Sequence, residues 1–181
     1  MGSGSSLASD VSMNSVLDEE SRLKYQDPGT VRDILNRTKT IAMVGLSPKS
    51  ERPSHFVATY LQYEGYRVIP VNPRADEILG EKAYPDLLSI PDDIAVDMVD
   101  VFRRPEEVPE IARQAVEIGA KSLWLQLKVV SPEGAQIAED GGMDVVMDRC
   151  VKIEHGRYNG SLHWVGMNTE LISARRGQRY F

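Results

Sequence analysis

Thr40-Ile41-Ala42-Met43-Val44-Gly45-Leu46-Ser47-Pro48-Lys49 is the stretch that decides the fold. Within it, Thr40 to Val44 is a continuous apolar run that ends in Gly45. Runs of this kind are strands buried on both faces of a parallel sheet. After the loop, Phe56, Val57, Tyr60 and Leu61 recur at helical spacing, and Gly65 closes that helix. Arg67-Val68-Ile69-Pro70-Val71 reads as a second strand, stopped by the turn signal Asn72-Pro73-Arg74.

The same alternation continues outward. Residues 75 to 93 are irregular, with Gly80, Pro85 and Pro91 as punctuation. Val96 to Phe102 is the third main strand. Pro105 opens a helix with Val108, Ile111, Ala112 and Ala115 on one face, closed by Gly119. Ser122 to Leu127 is the fourth strand, Pro132 starts a helix ended by Gly141-Gly142, and Met143 to Met147 is the fifth. Strands alternating with helices predict an α/β, Rossmann-like, doubly wound sheet of about five mainly parallel strands in three layers, with right-handed crossovers.

Residues 1–28 are polar, acidic and serine-rich and are expected to form a disordered arm, with a flexible leader at the start. The leader lacks the basic and apolar regions of a secretory signal. Thr30 is expected to cap a short helix carrying Val31, Ile34 and Leu35, with Asp33 as its capping-box acid. The domain proper is expected over 29–155. The tail, 156–181, carries Trp164, Leu171 and Ile172 and is expected to pack on the domain or on a second subunit, as in a homodimer.

The chain has 181 residues, enough for one domain that buries roughly 70% of its unfolded surface without metal or disulfide. Its formal net charge of -6 argues against broad nucleic-acid or anionic-membrane binding. A small anion in a local basic pocket stays allowed. Cys150 is the lone cysteine, which suits a reducing cytoplasm. No apolar run approaches the ~20 residues of a membrane span.

Ligands of open parallel sheets lie beyond the carboxyl ends of the strands. The loops to inspect are therefore Gly45 to Lys49, Asn72 to Arg74, Phe102 to Arg104 and Gln126 to Lys128. Gly45 lets a backbone approach closely. Ser47 offers a hydroxyl, Lys49 and Arg52 add charge, and the helix that follows offers free N–H groups to phosphate. An ordinary strand-to-helix turn with solvated basic residues would read the same way. The dinucleotide fingerprint G-x-G-x-x-G is absent, and Asn72 stands where an acidic residue would grip the ribose of NAD. The P-loop spacing is absent too. Phe102-Arg103-Arg104-Pro105 presents an aromatic ring and two guanidinium groups, which suit a ring plus phosphates.

Six segments in order carry a resemblance. They are Val44-Gly45-Leu46-Ser47-Pro48, Arg52-Pro53-Ser54, Pro70-Val71-Asn72-Pro73, Val99-Asp100-Val101-Phe102-Arg103, Leu123-Trp124-Leu125-Gln126 and Asp148-Arg149-Cys150. The stretch Ile41 to Glu154 resembles the small stand-alone CoA-binding domain proteins, relatives of the CoA-binding domain of succinyl-CoA synthetase α subunits. The resemblance implies coenzyme A, or an acyl-CoA, as the ligand. It places Gly45 to Lys49 near the phosphates, Asn72 to Arg74 and Phe102 to Arg104 beside the nucleotide, and Gln126 toward pantetheine. Lys128 departs from the family, which usually has glycine there.

No catalytic constellation or metal-ligand spacing is visible. His55 reads as a solvated residue near a helix start. His155 and His163 have no carboxylate motif beside them, and Cys150 reads as a small buried apolar residue. Asp97 and Asp100 are expected to point to one neighbourhood without forming an acid/base pair. Three functions stay open: a CoA-binding module, a subunit of an acyl-CoA enzyme that needs partners, and a ligand-free interaction protein.

Overall fold

The computed structural model describes residues 15–159. Five strands form one sheet: β1 (Thr40–Val44), β2 (Arg67–Val71), β5 (Met98–Val101), β6 (Ser122–Leu125) and β7 (Asp144–Val146). Their order is β2-β1-β5-β6-β7 and every pairing is parallel. The chain leaves β2 on one side of β1 and re-enters the sheet as β5 on the other. That reversal of winding puts the topological switch point at the carboxyl ends of β1 and β5.

Alternation along the strands sorts side chains into two cores. Ala42, Val44, Ile69, Val71, Val99, Val101, Leu123 and Leu125 face α4 (Val108–Glu117) and α5 (Pro132–Asp140). Ile41, Met43, Val68, Met98, Trp124 and Val146 face the opposite side. There they pack with α2 (Pro28–Arg37), α3 (Pro53–Tyr63) and α6 (Val151–Tyr158). The three-layer, doubly wound expectation holds. Apolar burial on both faces explains why the strands read as unbroken apolar runs. Pro70 sits in β2, an edge strand, where a missing ladder N–H is tolerated.

Several local expectations are corrected. Part of the expected arm is helical. Glu19–Tyr25 is α1, whose first turn is capped by Asp18 accepting from the Ser21 N–H. Gln26 is buried and donates to the carbonyl of Met147, which fastens the segment to the end of β7. The helix assigned to Thr30 starts at Pro28, because Asp27 caps it by accepting from the Thr30 N–H. The irregular stretch 75–93 contains a small hairpin of β3 (Glu77–Ile78) and β4 (Glu81–Lys82). Pro105–Glu107 is a 3₁₀ turn leading into α4. The helix over 151–158 was missed, and residues 156–159 belong to it and to its cap. The rest of the tail, with its expected subunit contact and His163, lies outside the described residues.

Asp148 ties three segments together. It is buried, at φ 57°, and its Oδ2 accepts from Ser15 Oγ (2.9 Å) and the Val16 N–H (2.8 Å). Its Oδ1 accepts from the Lys128 N–H at 2.6 Å. Asp148→Ala should lower unfolding stability by about 1 to 3 kcal/mol, the cost of stranding such donors. Asp148→Asn should cost less, because asparagine tolerates the left-handed region. Urea unfolding of the two variants checks the order, and equal losses would contradict it.

Candidate functional site

Gly45 follows β1 at φ 86°. A Cβ placed there would stand 2.5 Å from the Phe102 carbonyl oxygen and 2.8 Å from Arg103 Cδ. Only glycine lets the ends of β1 and β5 close so tightly. The Phe102 N–H donates to the Val44 carbonyl at 2.8 Å, and the Gly45 N–H to the Val71 carbonyl at 2.9 Å. Asn72 braces the same corner, its Nδ2 donating to the Leu46 carbonyl at 2.8 Å and its Oδ1 accepting from the Arg74 N–H at 2.9 Å.

Two clefts open beyond these strand ends. The first, about 280 Å³, is lined by Gly45, Asn72, Pro73 and Arg103 together with Asp86, Leu87, Glu110 and Gln114 among others. The second, about 450 Å³, is lined by Arg74, Phe102, Arg103, Arg104, Pro105, Glu107, Lys128 and Val129. Arg103 and Glu107 border both, so their contact forms the dividing wall. Arg103 Nη2 donates to Glu107 Oε1 at 2.9 Å, and Glu107 Oε2 accepts from the Arg104 N–H at 3.2 Å.

The clefts differ in charge. The first combines Arg103 with three acids, Asp86, Glu107 and Glu110. The second gathers four cationic side chains, Arg74, Arg103, Arg104 and Lys128, against Glu107. A cationic recess with backbone nearby favours phosphate.

The expected site residues divide. Gly45, Asn72, Pro73, Arg74, Phe102, Arg103 and Arg104 line the clefts. Leu46, Ser47, Pro48, Lys49, Arg52, Pro53 and Gln126 do not. The Leu46 side chain is core, leaving only its backbone at the corner. Ser47 is used within the loop: its N–H donates to Ser54 Oγ and its own Oγ accepts from the Lys49 N–H. α3 begins at Pro53, with Arg52 as its cap residue, so Ser50 to Arg52 separate the Gly45 to Lys49 loop from the helix. Gln126 is buried, its Nε2 donating to Asp100 Oδ1 at 2.7 Å.

Asp86, Glu107, Glu110 and Gln114 also line the clefts, although the sequence pattern did not single them out. Asp86 follows Tyr84, which bridges the end of β2 at Val71 and brings the irregular segment to the site. The signal available was position: Glu107, Glu110 and Gln114 follow the arginines at helical spacing.

The residues outside the clefts keep structural roles. Cys150 is buried and free, and burial pushes its thiol up. His155 is buried, with Nδ1 2.9 Å from the Tyr60 hydroxyl, and burial lowers its basicity. His55 is partly held, its Nδ1 3.0 Å from the Ser47 carbonyl. Asp97 and Asp100 are separated rather than neighbours, since residues three apart on a strand face opposite sides. Asp97 accepts from the Lys39 and Thr40 N–H groups at 2.9 Å each, near the amino end of the sheet, while Asp100 is enclosed in the core. Among the described residues no cluster of His, Cys, Asp or Glu could hold a metal.

A five-stranded parallel sheet with helices on both faces and clefts at its switch point defines a Rossmann-like α/β architecture. Residues 39–156 match the family described as the CoA binding domain, and the chain belongs to that family. It is 43% identical over 125 residues to the uncharacterized protein YneT of Bacillus subtilis, covering 69% of this chain and 91% of that one. It is 33% identical over 126 residues to acetate–CoA ligase (ADP-forming) II of Archaeoglobus fulgidus, 68% of this chain but 18% of the ligase. A solved hypothetical protein from Pyrococcus horikoshii superposes with a TM-score of 0.69 at 41% identity, covering 72% of this chain and 91% of that one.

Lys128 has φ 64°. A left-handed backbone costs a residue with a Cβ roughly 1 to 2 kcal/mol, partly offset in glycine by its greater freedom when unfolded. Lys128→Gly should therefore keep or raise stability by up to about 1 kcal/mol, and Gly45→Ala should lose about 2 kcal/mol or more. Thermal unfolding of both variants reads the contrast, and a tolerated Gly45→Ala would refute the tight closure.

Proposed function

We propose that the chain binds coenzyme A or an acyl-CoA at the carboxyl edge of its sheet, as a binding module without chemistry of its own. The carrying observation is the second cleft, where Arg74, Arg103, Arg104 and Lys128 converge against one acid. The phosphates lie in this cleft. The nucleoside lies in the first, whose Asp86, Glu110 and Gln114 offer acceptors to ring amino and ribose hydroxyl groups. Membership in a CoA binding family and similarity to an acetate–CoA ligase support that choice of ligand.

Glu107 already occupies Arg103, so an incoming phosphate has to displace a carboxylate. Removing that competitor should help the ligand. Glu107→Gln is expected to tighten CoA binding several-fold while weakening the start of α4, where Glu107 also accepts from the Arg104 N–H. Arg103→Ala is expected to weaken binding by about 1.5 to 3 kcal/mol, the range for charged hydrogen bonds.

Mass spectrometry of ligand released from freshly purified protein, followed by calorimetry with CoA and acetyl-CoA, tests the reading. CoA at 100-fold excess over its Kd should stabilise the fold by about 2.7 kcal/mol. A melting curve that no CoA species moves would refute it. The similarity to acetate–CoA ligase favours one second reading, a subunit of an acyl-CoA enzyme whose other parts come from partners. Co-purification with an ATP-dependent partner and thioester turnover by the pair would replace the first reading with this one.

A further inference from the structure

Asp100 lies in the middle layer, on β5, opposite Met43 of β1 and Trp124 of β6. It is fully buried, a costly place for a carboxylate. Oδ1 accepts from Gln126 Nε2 at 2.7 Å, and Oδ2 has no hydrogen-bond partner among the described residues. Apolar core would serve packing better than this half-satisfied pair. Gln126 closes β6 two residues before Lys128, which lines the cationic cleft. A glutamine amide has two different ends, a donating NH₂ and an accepting oxygen, and an ionised carboxylate can hold only the NH₂.

We propose that Asp100 is a positioning residue that fixes the Gln126 amide by holding its NH₂ group; although Gln126 is buried and lines neither cleft, the amide oxygen is then the end left for an N–H donor of a ligand that reaches the carboxyl end of β6. This rests on the reading that a CoA-type ligand, whose arm carries amide N–H groups, lies along the carboxyl ends of the strands. When Asp100 takes up a proton, the acid can donate to the amide oxygen instead. The orientation is then no longer fixed.

The ionisation of Asp100 sits where it can matter. Burial pushes its carboxyl up to about 7, against the opposing Gln126 and Val101 N–H contacts. The other titratable or charged groups on the elements packed over this face are Arg32, Asp33 and Arg37 on α2, His55, Tyr60 and Tyr63 on α3, Cys150 at the start of α6, and Lys152, Glu154, His155, Arg157 and Tyr158 on α6. Glu154 is buried beside Arg157 and Arg149, and burial raises its carboxyl too, so its transition must also be told apart by its survival in Asp100→Asn. The Asp100 charge helps to push the Cys150 thiol up. His155 is engaged by Tyr60 and His55 lies beside the Ser47 carbonyl. A histidine transition would survive Asp100→Asn, whereas an Asp100 transition would not.

The sign for stability follows from the raised value. Asp100 is neutral in folded and unfolded chains alike only well below the ordinary carboxylate value of about 4. As pH rises toward 7, the unfolded chain gives up its proton more readily than the folded one, so wild type loses stability relative to Asp100→Asn. That comparison also reports whether the variant folds.

The test has a ligand-free arm and a ligand arm. In the first, ¹⁵N NMR follows the Gln126 side-chain NH₂ signals, assigned by their loss in Gln126→Leu, from pH 5 to pH 8.5. The signals should inflect well above the ordinary carboxylate range in wild type and in Cys150→Ala, and stay flat in Asp100→Asn. Flat signals in wild type overturn the proposal whether or not CoA binds. In the second arm, CoA affinity should fall several-fold in wild type as pH drops from 8 to 6. In Asp100→Asn it should be weaker at pH 8 and show only the smaller fall that protonation of the ligand's own phosphomonoester contributes. An affinity that varies with pH alike in wild type and Asp100→Asn, beside a titrating amide, also overturns the positioning role. Absence of CoA binding at every pH overturns the ligand reading, and the amide titration still decides the Asp100–Gln126 coupling by itself.

Discussion

The Phe102 carbonyl oxygen occupies the space in which the side chain of any residue but glycine would begin at position 45. That contact joins the ends of β1 and β5, the two strands from which the chain winds in opposite directions. It sets how closely the loops that follow can approach. The Gly45 loop and the Arg103-Arg104 segment become two sides of one opening because no Cβ stands between them. Asn72 reinforces the corner by holding the Leu46 carbonyl. The wall residue Arg103 then hangs directly over the glycine, its Cδ already at the limit of approach.

Charge at the opening is arranged with less economy. Glu107 binds Arg103 and also takes the backbone N–H of Arg104. It therefore steadies the start of the helix and neutralises the side chains that best suit an anion. Exposed ion pairs of this kind contribute little to folding. Three acids line the neighbouring cleft, so the excess of positive side chains is confined to the second.

The fold was legible because buried parallel strands leave an unmistakable pattern. Ile41 to Val44 and Val68 to Val71 are apolar on both faces, and glycines or prolines punctuate each crossover. The architecture in turn pointed to the carboxyl edge of the sheet, where the two clefts open. What was not legible was which loop residues look into the opening. Lys49 and Arg52 lie close in sequence to Gly45, yet the intervening loop turns on Ser47 and Ser54 and carries them away from both clefts. Asp86 reaches the site only because Tyr84 docks on the end of β2, a long-range contact with no local signature. The α1 helix was masked by its polarity: none of its residues is buried, and a cap and a few tertiary bonds hold it.

Pro70 has a meaning beyond its place in the edge strand. It presents no N–H to a strand arriving from outside, and its carbonyl already accepts from the Tyr84 N–H at 3.0 Å. The Asn72 N–H is spent on the Tyr84 carbonyl at 2.8 Å. The edge at β2 is thus closed to templating by its own chain. A strand arriving there would meet no N–H at Pro70 and would have to displace Tyr84 from the carboxyl end of that border.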